Sequence, residues 1–198
     1  MSREPETVKV RSREALRAWL MANHARTESI WLITWKAHTA HHLSWDAVVE
    51  EALCFGWIDS QPRKLDSDRS MIRLSPRKPG SGWSGVNKAR IERLMAAGQM
   101  AAPGLAKIEA ARQDGSWAAL DGASDLTVPE DLAQAFDRHP DARNKFQAFP
   151  PSARRSILEW IALAKRPETR AGRVKETAER AALGQRANQW SKRPSGKE

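Results

Sequence analysis

Between Cys54 and Lys88 the chain reads CFGWIDSQPRKLDSDRSMIRLSPRKPGSGWSGVNK. The stretch holds two indoles, three carboxylates (Asp59, Asp66 and Asp68), several cations and a Gly/Ser-rich turn that runs into a helix start. Side chains alternate along a strand, so Trp57 and Asp59 share a face if residues 57–65 are extended. Arg73 and Arg77 on the next strand are candidates to face them. Arg77 and Lys78 then lead through Gly80, Ser81 and Gly82 to a helix beginning at Ser84. The unpaired N–H groups and partial positive charge of a helix start attract anions. Trp83 can wall a planar or apolar group, and Asn87, one turn in, can donate and accept. Trp57, Asp59, Arg77, Lys78, Trp83, Ser84 and Asn87 are therefore the expected ligand-binding set. The ligand would be a small molecule or peptide carrying an anionic or hydrogen-bonding group. A plainer reading buries both indoles, pairs Asp59 with a neighbouring Arg and leaves Ser84 as a cap. GSGWSG is not a Walker loop, because the Lys-Ser/Thr ending is missing. Asp59 is a conceivable acid or base, yet one carboxylate without a second group at readable spacing specifies no reaction. The expectation leans away from an enzyme and includes no cofactor.

Three other groupings carry chemistry-bearing residues. In ARRSILEWIALAKRPETRAGRVKETAER, Ile157, Trp160, Ile161 and Ala164 form an apolar stripe. Around it lie Arg154, Arg155, Lys165, Arg166, Arg170, Arg173 and Lys175, a surface able to track phosphates with salt-sensitive affinity. Nucleic-acid association through Arg166, Arg170, Arg173 and Lys175, with the basic blocks 67–98 and 151–198, is the alternative function. Interleaved Glu159, Glu168, Glu176 and Glu179 argue instead for helix-surface ion pairs. HTAHH offers His38, His41 and His42 without a Cys pair or a nearby acidic ligand, so no metal site is expected. Cys54 closes an amphipathic helix and reads as a small buried hydrophobe, with no activating His in a fixed relation to it.

The 198 residues suffice for one domain with a core and a helical appendage. Net charge is +9 and unevenly placed. Residues 67–98 carry 7 basic and 2 acidic groups, and residues 151–198 carry 12 and 5. Residues 1–66 balance at 9 and 9, whereas 99–150 lean acidic at 5 and 8. Such blocks favour anionic partners or are solvated surface. A single Cys forbids an internal disulfide. The polar start MSREPETVKV reads as no secretory signal, and no apolar run is long enough to cross a bilayer. The expected location is the cytoplasm.

The elements that must position these groups follow from periodicity and punctuation. Strands are predicted at 6–10, 29–38, 57–65 and 70–77, the last two a hairpin across DSDR, with Pro62 marking an edge or bulge. Helices are predicted at 12–24 (capped by Ser12), 44–55 (capped by Ser44), 84–98 (capped by Ser84) and 103–115. Trp45, Val48, Val49, Ala52 and Leu53 are the expected apolar face of the second helix. Val86, Ile91, Leu94 and Met95 are that of the third. Residues 129–139, 140–149, 151–166 and 167–184 read as further helices, with prolines at their starts. The fold class is α+β: a small antiparallel sheet of about four strands packed with helices, then an all-helical subdomain. The expected division is 1–115, a linker 116–128, a helical module 129–184 and a flexible tail 185–198.

EALCFGWIDS, then RLSPRKPGSGWSGVNKARIERLMAAGQM, and later ILEWIALAKRPETRAGRVKET, resemble the YdeI/OmpD-associated or bacteriocin-protection family, over roughly residues 8–184. The resemblance implies an N-terminal α+β domain and a short helical C-terminal module. It also implies a protection-type role against peptide toxins or an envelope connection, and no particular reaction.

Overall fold

A computed structural model describes residues 5–189. The chain divides between Trp117 and Ala118 into two compact units, each with its own core.

The first unit is α+β. Strand β1 (Glu6–Lys9) leads through helix α1 (Arg13–Asn23) to β2 (Ile30–Trp35). Helix α2 (Trp45–Cys54) precedes the hairpin of β3 (Trp57–Lys64) and β4 (Arg69–Pro76), and helices α3 (Gly85–Ala96) and α4 (Ala102–Gln113) follow. The sheet order is β1-β2-β4-β3. It is mixed, where the sequence suggests an antiparallel sheet. β1 pairs parallel with β2, while β2–β4 and β3–β4 are antiparallel. The cause is the crossover through α1, which returns the chain to run beside β1 in the same direction. Pro62 sits as predicted, on the edge strand beside a register shift between Asp59 and Pro62. The hairpin turn is held by Asp66, whose Oδ1 accepts from the N–H groups of Asp68 and Arg69 at 2.9 and 2.7 Å.

The sheet has two different faces. Val8, Ile30, Leu32, Ile72, Leu74 and Trp57 join Leu16, Leu20, Val48, Val49, Leu53, Ile91 and Ile108 in one core. This is the face the helices cover. Ser12, Ser44 and Ser84 cap α1, α2 and α3, each accepting the backbone N–H three residues on. Two predicted apolar faces are corrected. Trp45 is 48% exposed, and Val86 and Met95 are also exposed. The inward stripe of α3 is Ile91 and Leu94, one helical step apart, and neither Val86 nor Met95 falls in phase with both. Gly104 lets α4 touch the end of α2: a Cβ there would lie 2.2 Å from the Cys54 carbonyl oxygen. Below α1, Glu51 is buried and accepts from Arg13 Nε at 2.7 Å and Arg17 Nη1 at 2.9 Å.

The second unit is helical: α5 (Asp121–Ser124), α6 (Glu130–Asp137), α7 (Ala142–Gln147), α8 (Pro151–Ala162) and α9 (Pro167–Ala182). Prolines open α8 and α9, where a missing N–H costs nothing. Leu132, Phe136, Phe146, Ile157, Leu158, Ile161, Val174 and Ala178 make its core. Residues 116–128, expected as a linker, instead contain α5, and Ala123 is buried in this core. Of the expected tail, Ala187 is also buried there, and residues 190–198 lie outside the described residues. Among the described residues, no helix is long and apolar enough to cross a membrane.

Candidate functional site

Trp57 begins β3 and has no exposed surface. Its ring packs edge-on against Trp19 at 5.8 Å, and its indole N–H is buried without an acceptor. Trp83 is 2% exposed. The guanidinium of Arg77 lies 3.5 Å above the Trp83 ring centre, and Trp117 stands at 5.2 Å. The expectation of two indoles walling an open pocket is therefore corrected. β alternation turns Trp57 inward with Leu74 and Ile30, toward α1, so no ligand reaches it from solvent.

Of the rest of the predicted set, Asp59 and Arg77 act on each other electrostatically. Arg77 is 5% exposed, its backbone N–H donates to Gly56 O at 2.9 Å, and its Nη2 donates to Gly82 O at 2.7 Å. Burial pulls its pKa down to about 10, and the Asp59 charge opposes the fall. Asp59 is half-buried. Burial pushes its carboxyl above the ordinary value, while its own backbone N–H, Arg90 and Arg77 hold it back. Arg90, which the sequence reading missed, donates to Asn87 Oδ1 at 3.1 Å and Asp46 Oδ1 at 2.5 Å. It lies three residues after Asn87, on the same helix face, which was the available signal. Ser84 Oγ accepts from Asn87 N at 3.4 Å and acts as the cap. Lys78 is exposed. Arg73, expected to face Asp59, pairs with Trp31 in the register and lies on the other sheet face.

The hollow beside Trp83 is small. Arg77, Lys78, Gly80, Ser81, Lys107 and Asp114 are among its lining residues, and its volume is about 50 Å³. That is room for a water or two, far below the several hundred Å³ of a small-molecule site.

A larger groove lies in the second unit, between α6 and α9, with a volume of about 400 Å³. Ala135, Val174 and Ala178 form its apolar floor, and Arg138, His139, Arg170 and Lys175 are polar lining. Asp131 adds a carboxylate, which Arg170 grips with Nε at 2.6 Å and Nη2 at 3.0 Å. This pairing holds the Asp131 carboxyl below the usual range. Lys175 stands 3.8 Å from Glu179 and is well exposed. The predicted nucleic-acid residues thus differ in availability. Arg170 is spent on Asp131. Arg173 covers the Trp160 ring at 5.0 Å and donates to the Trp160 carbonyl. Arg166 is the exposed residue preceding α9. Trp160 itself is half-buried, and Leu158 takes the inward place that the predicted stripe gave it.

The histidines do not converge: His38 pairs with Asp68 at 3.2 Å, and His42 bonds the Trp35 carbonyl at 2.9 Å. Among the described residues no group of three or more His, Cys, Asp or Glu can hold a metal ion. Cys54 is buried, and burial pushes its thiol up.

The fold is an α+β unit followed by a helical module carrying a cationic, apolar-floored groove. Residues 8–107 match the family model described as a domain of unknown function (DUF8412), and at 100 of 198 residues the chain belongs to that family. Residues 125–184 match the model described as Bacteriocin-protection, YdeI or OmpD-Associated. The first two resembling stretches thus lie wholly within the former match and outside the bacteriocin-protection one, and ILEWIALAKRPETRAGRVKET falls in the latter. No curated protein and no solved structure gave a match.

Proposed function

We propose that the chain is a non-enzymatic binding protein of the protection type, and that the α6–α9 groove holds its ligand. The ligand class is a small amphipathic anion. The carboxyl end of a peptide is the form that suits a protection role, since it joins a carboxylate to an apolar side chain. Arg138 and Lys175 would take the carboxylate, and the Ala135–Val174–Ala178 floor would take the apolar part. The observation that carries this reading is the groove itself: about 400 Å³, cationic and apolar-floored, and lined wholly within the bacteriocin-protection match at 125–184. Its volume lies in the range of small-molecule sites. Arg170 is neutralised by Asp131, and Lys175 is held only loosely by Glu179 at 3.8 Å, so the charge left for a ligand is that of Arg138 with Lys175 beside it.

Calorimetric titration with N-acetyl-Leu-Leu as free acid and as amide tests it. The acid is expected to bind and the amide to bind at least tenfold more weakly. Lys175→Glu should weaken the acid, and Ala171→Trp should block the groove. Equal binding of acid and amide, or unchanged binding in both variants, would overturn the assignment.

A further inference from the structure

The sheet face turned away from the helices has a composition that the α6–α9 groove does not explain. Its rows follow from the register. One row crosses the sheet as Lys9, Ile33, Met71 and Arg63. A second holds Thr7, Trp31 and Arg73, and a third Trp35 and Arg69. Ile33 and Met71 are each 8% exposed, yet neither belongs to the core shared with the helices. Their cover is the set of long side chains around them. Trp31 and Trp35 are half-buried, while Lys9 and Arg63 are exposed.

The cations of this face cluster on its indoles. Lys9, Arg11 and Arg69 lie 5.3, 6.0 and 5.7 Å from the Trp35 ring centre, and Arg63 lies 5.8 Å from that of Trp31. Like charges gathered on two rings repel one another, and an anion relieves the repulsion. Arg69 has a carboxylate partner in Asp66, at 2.6 Å. Lys9, Arg11 and Arg73 have none among the described residues. Arg73 carries a buried Nε without an acceptor. It also lines a polar cleft of about 840 Å³ beside the sheet, where Arg26 and Lys78 stand with Glu6 and Glu28 and Arg26 is paired with Glu6 at 2.7 Å.

We infer that this open sheet face, with Trp31 and Trp35 as stacking platforms and Lys9, Arg11, Arg63, Arg69 and Arg73 around them, binds single-stranded nucleic acid. The charge is complementary to a phosphate backbone. Aromatic rings set among cations suit unpaired bases, which offer π-faces that a duplex hides. From Arg69 to Arg73 the strand spans about 13 Å, room for more than one nucleotide. The site is separate from the α6–α9 groove, so either assignment can fail alone. It also differs from the expected use of Arg170 and Arg173, which are engaged within the second unit.

The test is fluorescence anisotropy of the full chain with a labelled 20-nucleotide deoxythymidine strand, its duplex with deoxyadenosine, and polyglutamate, across a salt series. The single strand should bind tightest, and affinity should fall with salt at a log–log slope of about −2 to −4. Trp31→Ala should weaken it about tenfold or more, the loss of one stacking surface. Lys9→Glu with Arg11→Glu should weaken it and make the slope shallower by roughly 1. Lys175→Glu should leave it unchanged, and circular dichroism should show each variant folded. Absent binding at 50 mM salt, where the Debye length is about 14 Å, would overturn the inference. So would duplex or polyglutamate bound as tightly as the single strand, or folded Trp31→Ala and Lys9→Glu/Arg11→Glu variants that bind normally.

Discussion

Asp59 and Arg77 bear opposite charges in the same partly dry place, and their titration is a stability property. The Asp59 carboxyl is pushed above its usual 3.8 by burial, more than Arg90 and Arg77 pull it down. Its protonated form is therefore favoured in the folded chain. The stability it contributes is fully present below the unfolded value and is lost as pH rises through the higher folded one. Asp59→Asn should flatten that loss as pH rises above about 4 and leave stability at neutral pH equal or raised. Urea midpoints across that range measure it, and a slope identical to the parent's would refute it. Glu51 behaves differently. It is almost fully buried with two arginines on its oxygens, and both arginines reach solvent. Glu51→Ala should cost about 1–3 kcal/mol, since the arginines can turn to water but their stems lose their anchor. Urea denaturation reports it directly.

At the scale of elements, two glycines make opposite predictions. α4 approaches the last turn of α2 so closely that Gly104→Ala puts a methyl 2.2 Å from backbone oxygen. Backbone cannot rotate away, so the helix must shift, at a cost of about 1–3 kcal/mol or more. Gly172 sits inside α9 with nothing near its missing Cβ. Gly172→Ala should add about 0.5–1 kcal/mol by restricting the unfolded chain and favouring helix. Thermal midpoints should move down for the first and up for the second. Opposite movement of either would show that the helix concerned packs otherwise.

For the whole molecule, the two cores share no member of their buried clusters. A core change in one unit is then expected to act on that unit first. Leu132→Ala removes a fully buried side chain of the second core and should cost about 2–5 kcal/mol there. Hydrogen exchange resolved along the chain checks it: amides of α6–α9 should lose protection, while those of β2 and β4 keep theirs. Equal loss in both units would mean that they unfold as one. The net charge of +9 also belongs to this scale. It draws polyanions to the molecule in general and is no measure of any one site, which is why the duplex and polyglutamate arms matter in the sheet-face experiment.

Local order was legible in the sequence to a considerable depth. The serine caps, the four strands, the edge position of Pro62 and the proline-led helices are each set by a residue and its near neighbours, and each stands where those neighbours place it. Even the plainer reading of 54–88 was available: buried indoles, a carboxylate among arginines, a serine that caps. Which reading held was decided by tertiary structure. Alternation says that Trp57 and Asp59 share a face, but only the position of α1 says that this face is closed. The side of the sheet taken by Arg73 depends on register with Trp31, which no short-range pattern specifies. The α6–α9 groove depends on two helices distant in the sequence, and so does the neutralisation of Arg170 by Asp131, 39 residues away. Spacing along the chain fixes direction within an element, whereas enclosure and charge pairing are set by what another element brings alongside.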